Sequence, residues 1–501
     1  MDGINYYQKG LECAETGNYN DALANIAEHL RQSPGDVQAI NDAGAILHCL
    51  GFGEEAMKCL LAARELAPDK AEIIWNVVET YIGMNKPKEA AEYIPQLEQM
   101  GILNPDFLNR LASIFIDNNC KSEALEVILK SLQLWPDQEI LKPMVDIVKN
   151  KRPKISFICG LKGDTKFLGD IYEFSQTRFP VQLSEIHSLN HLHEIMKSTD
   201  ICWFEWCTEV VVEASKLPKV CKNIVRLHRF EAYNPWPKQV KWENIDTLVL
   251  VGNSYVKQGL LAQVPDIEQR TKVVTIPNGV NLDKFKFTNR TKGKNLGCIG
   301  YLNMRKNPMF LLQCMQKLHF VDKGYKLFFA GHFQDPMLEQ YMRHMVKSLG
   351  LEGAVYFDGW RDDISNWLSD KHFIVSTSIG ESQGMGLLEA MACGVKPIIH
   401  NFPGAGEIFP SEYVFDIAED FCRLILSDDY DSRKYREFVE QKYPLKSELK
   451  QINDLFIQLE NEIGTVKTQA VSQPRQPIMT ANNAGKTIRF DEVKINSGTV
   501  V

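Results

Sequence analysis

The stretch Glu381-Ser-Gln-Gly-Met-Gly-Leu-Leu-Glu389-Ala-Met-Ala-Cys-Gly394 decides how the rest of the chain is read. It follows an apolar run, His372-Phe-Ile-Val-Ser-Thr-Ser378, of the length of a buried strand. Beyond Gly384 the apolar residues Leu387, Leu388 and Met391 fall at helical spacing, and Gly394 marks a C-terminal stop. A glycine-rich turn feeding a helix start, here Gly384-Met385-Gly386, presents backbone N–H groups and the positive end of the helix dipole, which suits a phosphate. Two carboxylates bracket this turn, Glu381 on the loop and Glu389 in the helix. A carboxylate at Glu389 can accept two hydrogen bonds at once, as the vicinal hydroxyls of a ribose require. Glu381 would lie near whatever a diphosphate carries. A surface glutamate followed by an ordinary amphipathic helix would give the same spacing, so the surroundings must arbitrate.

Those surroundings repeat a pattern in a fixed order. After Glu389-Ala-Met-Ala-Cys-Gly come Lys396-Pro-Ile-Ile-His400 and Pro403-Gly-Ala-Gly-Glu407, and upstream lie Ile276-Pro-Asn-Gly-Val-Asn-Leu-Asp-Lys-Phe285 and Lys326-Leu-Phe-Phe-Ala-Gly331. Together they resemble the Glu-x7-Glu signature and accompanying motifs of the family 4 retaining nucleotide-sugar glycosyltransferases, over roughly 300 residues. The resemblance implies a GT-B fold, two doubly wound Rossmann-like α/β halves with the active cleft between them. It also implies a nucleotide-diphosphate sugar as donor substrate, with neither a metal nor a separate cofactor.

Composition sets the outer bounds. With 501 residues, 44% apolar and 24% charged, the chain reads as a multidomain globular protein. A net charge of −8 argues against a general nucleic-acid binder. The 12 cysteines form no C-x-x-C pair and no zinc-spaced cluster, so they read as reduced thiols, and the expected location is cytoplasmic. The first residues have neither a basic start nor an apolar core, and no apolar run reaches transmembrane length.

Residues 1–150 are self-similar. Ala22, Ala56, Ala90 and Ala124 recur every 34 residues, as do Pro34, Pro68 and Pro136, with Ile102 at the missing position. Gly17, Gly51, Asn85 and Asn119 share another register, and Ile26, Leu60, Ile94 and Ile128 follow each alanine by one helical turn. The period resembles the tetratricopeptide repeat, a helix-turn-helix unit whose stacked copies form an all-α superhelix. That resemblance implies a protein or peptide partner in the groove.

Residues 151–285 begin at a hinge, Lys151-Arg-Pro-Lys154. They carry strand-like runs at Ile155–Cys159, Val181–Ile186, Ile201–Trp206, Asn223–Leu227 and Thr247–Gly252. Helical patterns intervene around Phe167–Phe174, Leu189–Met196 and Val210–Leu217, which points to a parallel sheet. The resemblance makes this the acceptor-side half, although its first loop, Gly160-Leu-Lys-Gly163, lacks the family's adjacent glycines. His228, in Arg226-Leu-His-Arg-Phe-Glu231, follows a strand and resembles the family's histidine near the transferred sugar. A structural role for it stays open. His187, His191 and His193 read as surface residues, with no acidic or cysteine partner for a metal.

Residues 286–462 would be the donor half. The family has Gly-Arg after its first strand here and a lysine five residues later, both on the diphosphate. This chain has Gly300-Tyr301 and then Lys306, with Arg305 beside it as partial compensation. Trp360, in Val355-Tyr-Phe-Asp-Gly-Trp-Arg-Asp-Asp363, could stack on a base but reads rather as core. Gln383 stands where the family has an aromatic, and Gly386 where it has a branched apolar residue. Helices are expected at Ser432–Lys442 and Leu445–Glu462, and residues 463–501 read as a disordered tail.

The expected catalytic residues are Glu381 and His228. Lys306, Arg305, Gly384, Met385, Gly386 and Glu389 should hold the donor. The competing expectation is a non-catalytic tetratricopeptide scaffold with a degenerate glycosyltransferase half, motivated by Tyr301 and the short acceptor half.

Overall fold

The computed structural model describes residues 5–159, 165 and 167–469. The Gly160–Gly163 loop and residues 470–501 of the expected 463–501 tail lie outside the described residues, while residues 463–469 are helical. Contacts divide the chain between Arg152 and Pro153.

The first unit is helical, and its period is visible in the backbone. Gly17, Gly51, Asn85 and Asn119, 34 residues apart, all take the left-handed conformation, with φ of 76°, 83°, 55° and 57°. Asparagine is the side chain that tolerates this region best, so it can replace glycine at the same turn. Ala22, Ala56, Ala90 and Ala124 are fully buried. Glycine contributes on the facing helices: a Cβ on Gly10 would lie 2.7 Å from Ile26, and one on Gly44 2.6 Å from Leu60. The helices Tyr19–Gln32, Gly53–Leu66 and Lys121–Leu134 each stop two residues before Pro34, Pro68 and Pro136.

The third pair departs from the expected register. Its second helix breaks into Pro87–Ala91 and Ile94–Gln99. Pro95 has no N–H to donate and its ring would press on the carbonyl of Ala91, so the helix ends there. Ile94 is only partly buried, and Leu97 takes its place in the core.

The second unit contains two six-stranded parallel sheets. The first is built from β1 (Ile155–Cys159), β2 (Val181–Ser184), β3 (Ile201–Glu205), β4 (Lys222–Leu227), β5 (Thr247–Leu250) and β6 (Lys272–Thr275), in the order β2-β1-β3-β4-β5-β6. The second contains β7 (Asn295–Ile299), β8 (Lys326–Ala330), β9 (Val355–Gly359), β10 (Phe373–Ser376), β11 (Lys396–His400) and β12 (Val414–Phe415), in the order β12-β11-β10-β7-β8-β9. Both sheets are covered on two faces, which is why their strands read as continuous apolar runs. In the first, Cys202, Phe204, Val225 and Leu227 face one core, while Ile201, Trp203 and Ile224 face the other. Among the described residues no helix is long and apolar enough to cross a membrane.

Two boundaries shift from expectation. Val280 and Phe285 pack in the core of the second half, so that half begins before residue 286. The last helix runs from Leu445 to Gln469, past the expected end at Glu462. Its Ile452, Leu455, Phe456 and Leu459 pack against β1, β3 and β4, so it belongs to the first half by packing. The chain therefore crosses between the halves twice, and the crossings touch: Val280 N–H donates to Tyr443 O at 2.8 Å and Leu445 N–H to Val280 O at 3.0 Å. A Cβ on Gly279 would sit 2.3 Å from the Leu445 Cα, so this close approach requires glycine at position 279.

Candidate active site

A cavity of about 240 Å³ opens where the carboxyl ends of β3 and β4 face those of β7 and β10. β7 and β10 are neighbours although three crossovers separate them in sequence, which makes this the switch point of the second sheet. Ligand crevices in doubly wound sheets form at such points because the flanking loops diverge there.

Glu381 sits just beyond β10 and is 8% exposed. Its Oε1 lies 2.7 Å from Lys306 Nζ and 2.8 Å from an Arg305 guanidinium nitrogen, and accepts a hydrogen bond from Ser378 Oγ at 2.7 Å. Burial pushes its carboxyl up, but Lys306 and Arg305 overcome this and hold it down at about 2. Glu381 is therefore an anion at neutral pH, able to accept hydrogen bonds but with no proton to give. Lys306 is aimed by its backbone: its N–H donates to Asn303 Oδ1 at 3.1 Å, and Thr377, at the end of β10, donates to Lys306 O at 3.0 Å.

The turn at Gly384-Met385-Gly386 lines the cavity, as does Glu389. Gly384 is left-handed, with φ of 76°, and precedes the helix Met385–Ala392, whose first amides no side chain caps. A Cβ on Gly386 would meet Ile299 only at an ordinary 3.5 Å, so packing does not demand glycine there; the position opens onto the cavity. Gln383 is buried and holds the crossing segment with both ends of its amide: Asn278 N–H donates to Oε1 at 2.8 Å, and Nε2 donates to Asn278 O at 2.7 Å.

His228 lines the cavity as expected, but at 4% exposure its ring is largely committed to the protein. Nε2 lies 2.8 Å from Glu205 Oε1, and the ring packs 4.2 Å from Trp206 and 5.3 Å from Phe167, centroid to centroid. Glu205 in turn accepts from Trp203 Nε1 at 2.9 Å and from Arg226 at 3.3 Å. Burial would raise the Glu205 carboxyl, but Arg226 and His228 hold it below its ordinary value. Arg226 is fully buried and also donates to Phe167 O, Asn278 Oδ1 and Glu448 Oε1. His228 thus sits at one end of a buried ionic chain that reaches the inter-half crossing.

Trp360 corrects the sequence expectation of a core residue. It is 43% exposed, with its ring 5.1 Å from Tyr301 and 5.8 Å from His332. The reason is topological: β9 is an edge strand, and left-handed Gly359 (φ 71°) turns the chain away from it. Tyr301 therefore lies at the cavity as one face of an aromatic platform.

Residues missed from sequence include Arg229, Ser382, Trp206 and Glu205. The first three line the cavity, and Glu205 holds His228. Arg229 had a signal, being the cation next to His228. His187, His191 and His193 gather no ligand set: among the described residues no group of three or more His, Cys, Asp or Glu could hold a metal.

Residues 280–417 match the family model of Glycosyl transferases group 1. The Escherichia coli UDP-Gal:alpha-D-GlcNAc-diphosphoundecaprenol alpha-1,3-galactosyltransferase is 27% identical over 158 residues, 28% of this chain and 40% of that protein. The Drosophila melanogaster tRNA-queuosine alpha-mannosyltransferase is 26% identical over 126 residues, 24% and 33% of the two chains. The chain thus spans less than half the length of these curated relatives. Among solved structures, HepE from Anabaena in complex with UDP superimposes with a TM-score of 0.51 at 15% identity, covering 61% of this chain and 100% of that one. A glycosyltransferase from Rickettsia africae gives 0.50 at 18% identity, with 62% and 98% covered. The two-sheet unit therefore shares their fold.

Proposed function

We propose that this protein is a glycosyltransferase that moves a sugar from a nucleotide-diphosphate sugar to an acceptor with retention of configuration. The observation that carries the reading is the convergence of Glu381, Lys306, Arg305, the Gly384–Gly386 turn and Glu389 on one cavity at the switch point of the second sheet. The family-model match covers the whole second sheet, and both relatives named above form alpha linkages by their names.

In this reading the uncapped amides of the helix Met385–Ala392, with Lys306 and Arg305, offset the charge of the leaving diphosphate, so no metal is needed. Glu389 holds the ribose hydroxyls. Glu381, kept anionic by its cations, accepts hydrogen bonds from the sugar ring and orients it. The family resemblance implies that the acceptor proton passes to the leaving phosphate on the same face as the bond that breaks. His228 contributes as a wall oriented by Glu205 and not as a proton carrier. The exposed Tyr301–Trp360 platform is where a base would stack. The helical repeats belong to the tetratricopeptide class and hold a protein that is the acceptor or delivers it, raising its local concentration. The reading places the enzyme in the cytoplasm.

The test is a panel of UDP-, GDP- and ADP-sugars scored for nucleotide release, with and without candidate acceptors and in excess chelator. Release from one donor, lost in Glu381→Gln and unaffected by chelation, is expected. No release from any donor, with no nucleoside diphosphate raising the melting temperature at millimolar concentration, would defeat the proposal and favour a scaffold. That second reading is supported by Tyr301, which carries no charge where the family has a guanidinium.

A further inference from the structure

Arg229 lies on the first half, at the start of the short helix Arg229–Ala232 that follows His228, yet it faces the second half across the cavity. Its backbone N–H donates to Ser382 Oγ at 3.1 Å, which fixes it against the loop that carries Glu381. The side chain is partly buried and lines the cavity, and its guanidinium makes no ion pair or hydrogen bond among the described residues. The other two basic side chains of the cavity, Lys306 and Arg305, both rest on Glu381.

A half-buried guanidinium beside another guanidinium, with no carboxylate of its own, is an unfavourable arrangement unless something anionic joins it. Burial, and then the nearness of Arg305, push the Arg229 guanidinium below its ordinary value, with Glu381 acting the other way. The surplus positive charge faces the uncapped amides of the helix Met385–Ala392 in the same cavity. Position 301, just after β7, lines the same cavity with an uncharged tyrosine whose ring packs on Trp360.

Resting on the donor reading above, we propose that Arg229 is a diphosphate-binding residue, supplying from the first half the planar guanidinium fork that position 301 lacks in the second. The diphosphate is then gripped from both sides, by Arg229 on one half and by Lys306 with the helix amides on the other. A bidentate guanidinium adds geometry as well as charge, which lysine at the same place would not reproduce.

The experiment measures binding of UDP, GDP, ADP and inorganic pyrophosphate to the full chain by calorimetry, for wild type, Arg229→Ala, Arg229→Lys and Lys306→Ala. Arg229→Ala should weaken the preferred nucleoside diphosphate by about tenfold to a hundredfold, and Arg229→Lys should recover only part of the loss. Unliganded melting temperatures check that each variant folds; if Arg229→Ala does not, Arg229→Gln replaces it. Affinity within twofold of wild type in Arg229→Ala, with Lys306→Ala strongly impaired, would overturn the role of Arg229 and leave the donor reading standing. Arg229-dependent diphosphate binding without turnover of any nucleotide sugar would support the residue's role and sink the reading. If wild type binds none of the four ligands, both fall.

Discussion

In the first half, Arg226 is fully buried and its two carboxylate partners, Glu205 and Glu448, are buried with it, so that the whole cluster is closed to a ligand. In the second half Lys306 and Arg305 are partly exposed at the cavity, and both lean on the single carboxylate of Glu381. The same residue types thus do different work. The closed cluster ties β3, β4, the Asn278 crossing and the last helix together, because Glu448 also accepts from Gly279 N–H at 2.6 Å. The open cluster has two cations to one anion and can hand them to an incoming phosphate. A charged cluster is structural when its members are buried against one another, and it is ligand-binding when its cations border a cavity wall.

The largest effect should come from breaking the closed cluster. Arg226→Met leaves Glu205 and Glu448 buried without their cation, and should lower stability by about 3–5 kcal/mol. Lys306→Met should cost less, since Glu381 keeps Arg305 and Ser378. Urea unfolding of both variants checks the contrast; equal losses would mean that the two clusters are not different in kind.

The open cluster has a pH signature. A carboxyl lowered from 4.5 to about 2 stabilises the folded state by about 3 kcal/mol at neutral pH. That contribution is complete above the unfolded value and is lost as the pH falls from about 4.5 towards 2. Denaturation midpoints between pH 6 and pH 3 should therefore fall more steeply for wild type than for Glu381→Gln. Parallel curves would show that Lys306 and Arg305 do not hold this carboxyl down.

Most of the second unit was legible because its signals are local. Ile155–Cys159 and Ser432–Lys442 emerge with the bounds that their apolar periodicity implied, and the glycine turn before Met385 is where the sequence put it. β6 escaped because Lys272-Val-Val-Thr275 offers two apolar residues, too short a run to separate from a loop. The closed cluster was invisible for another reason: Arg226 and Glu448 are 222 residues apart, and nothing in either neighbourhood announces the other. Trp360 misled because aromatics beside strands are mostly core, and which strand lies at an edge is a property of the sheet order and not of the residues around it. In the helical unit the 34-residue register predicted Ile94 as a buried position, but the local effect of Pro95 outweighed the repeat.

The smallest effect should be the most informative about how the two halves divide the donor. Tyr301→Arg restores a guanidinium on the second half, but at the cost of its contact with Trp360, an aromatic pairing worth about 1 kcal/mol. In the wild-type background Arg229 already faces the cavity, and a further cation beside Arg305 and Lys306 meets like charge. Nucleoside diphosphate affinity should then change by no more than about threefold. In the Arg229→Ala background one like charge at the cavity is gone and the fork that Arg229 supplied is missing, so the new guanidinium replaces it and affinity should recover by about tenfold. The two residues would behave as alternatives, coupled through one ligand. Equal gains in both backgrounds would mean that positions 229 and 301 act on different groups. A charge would then be placed on each half independently, and the halves would not share a single diphosphate between them.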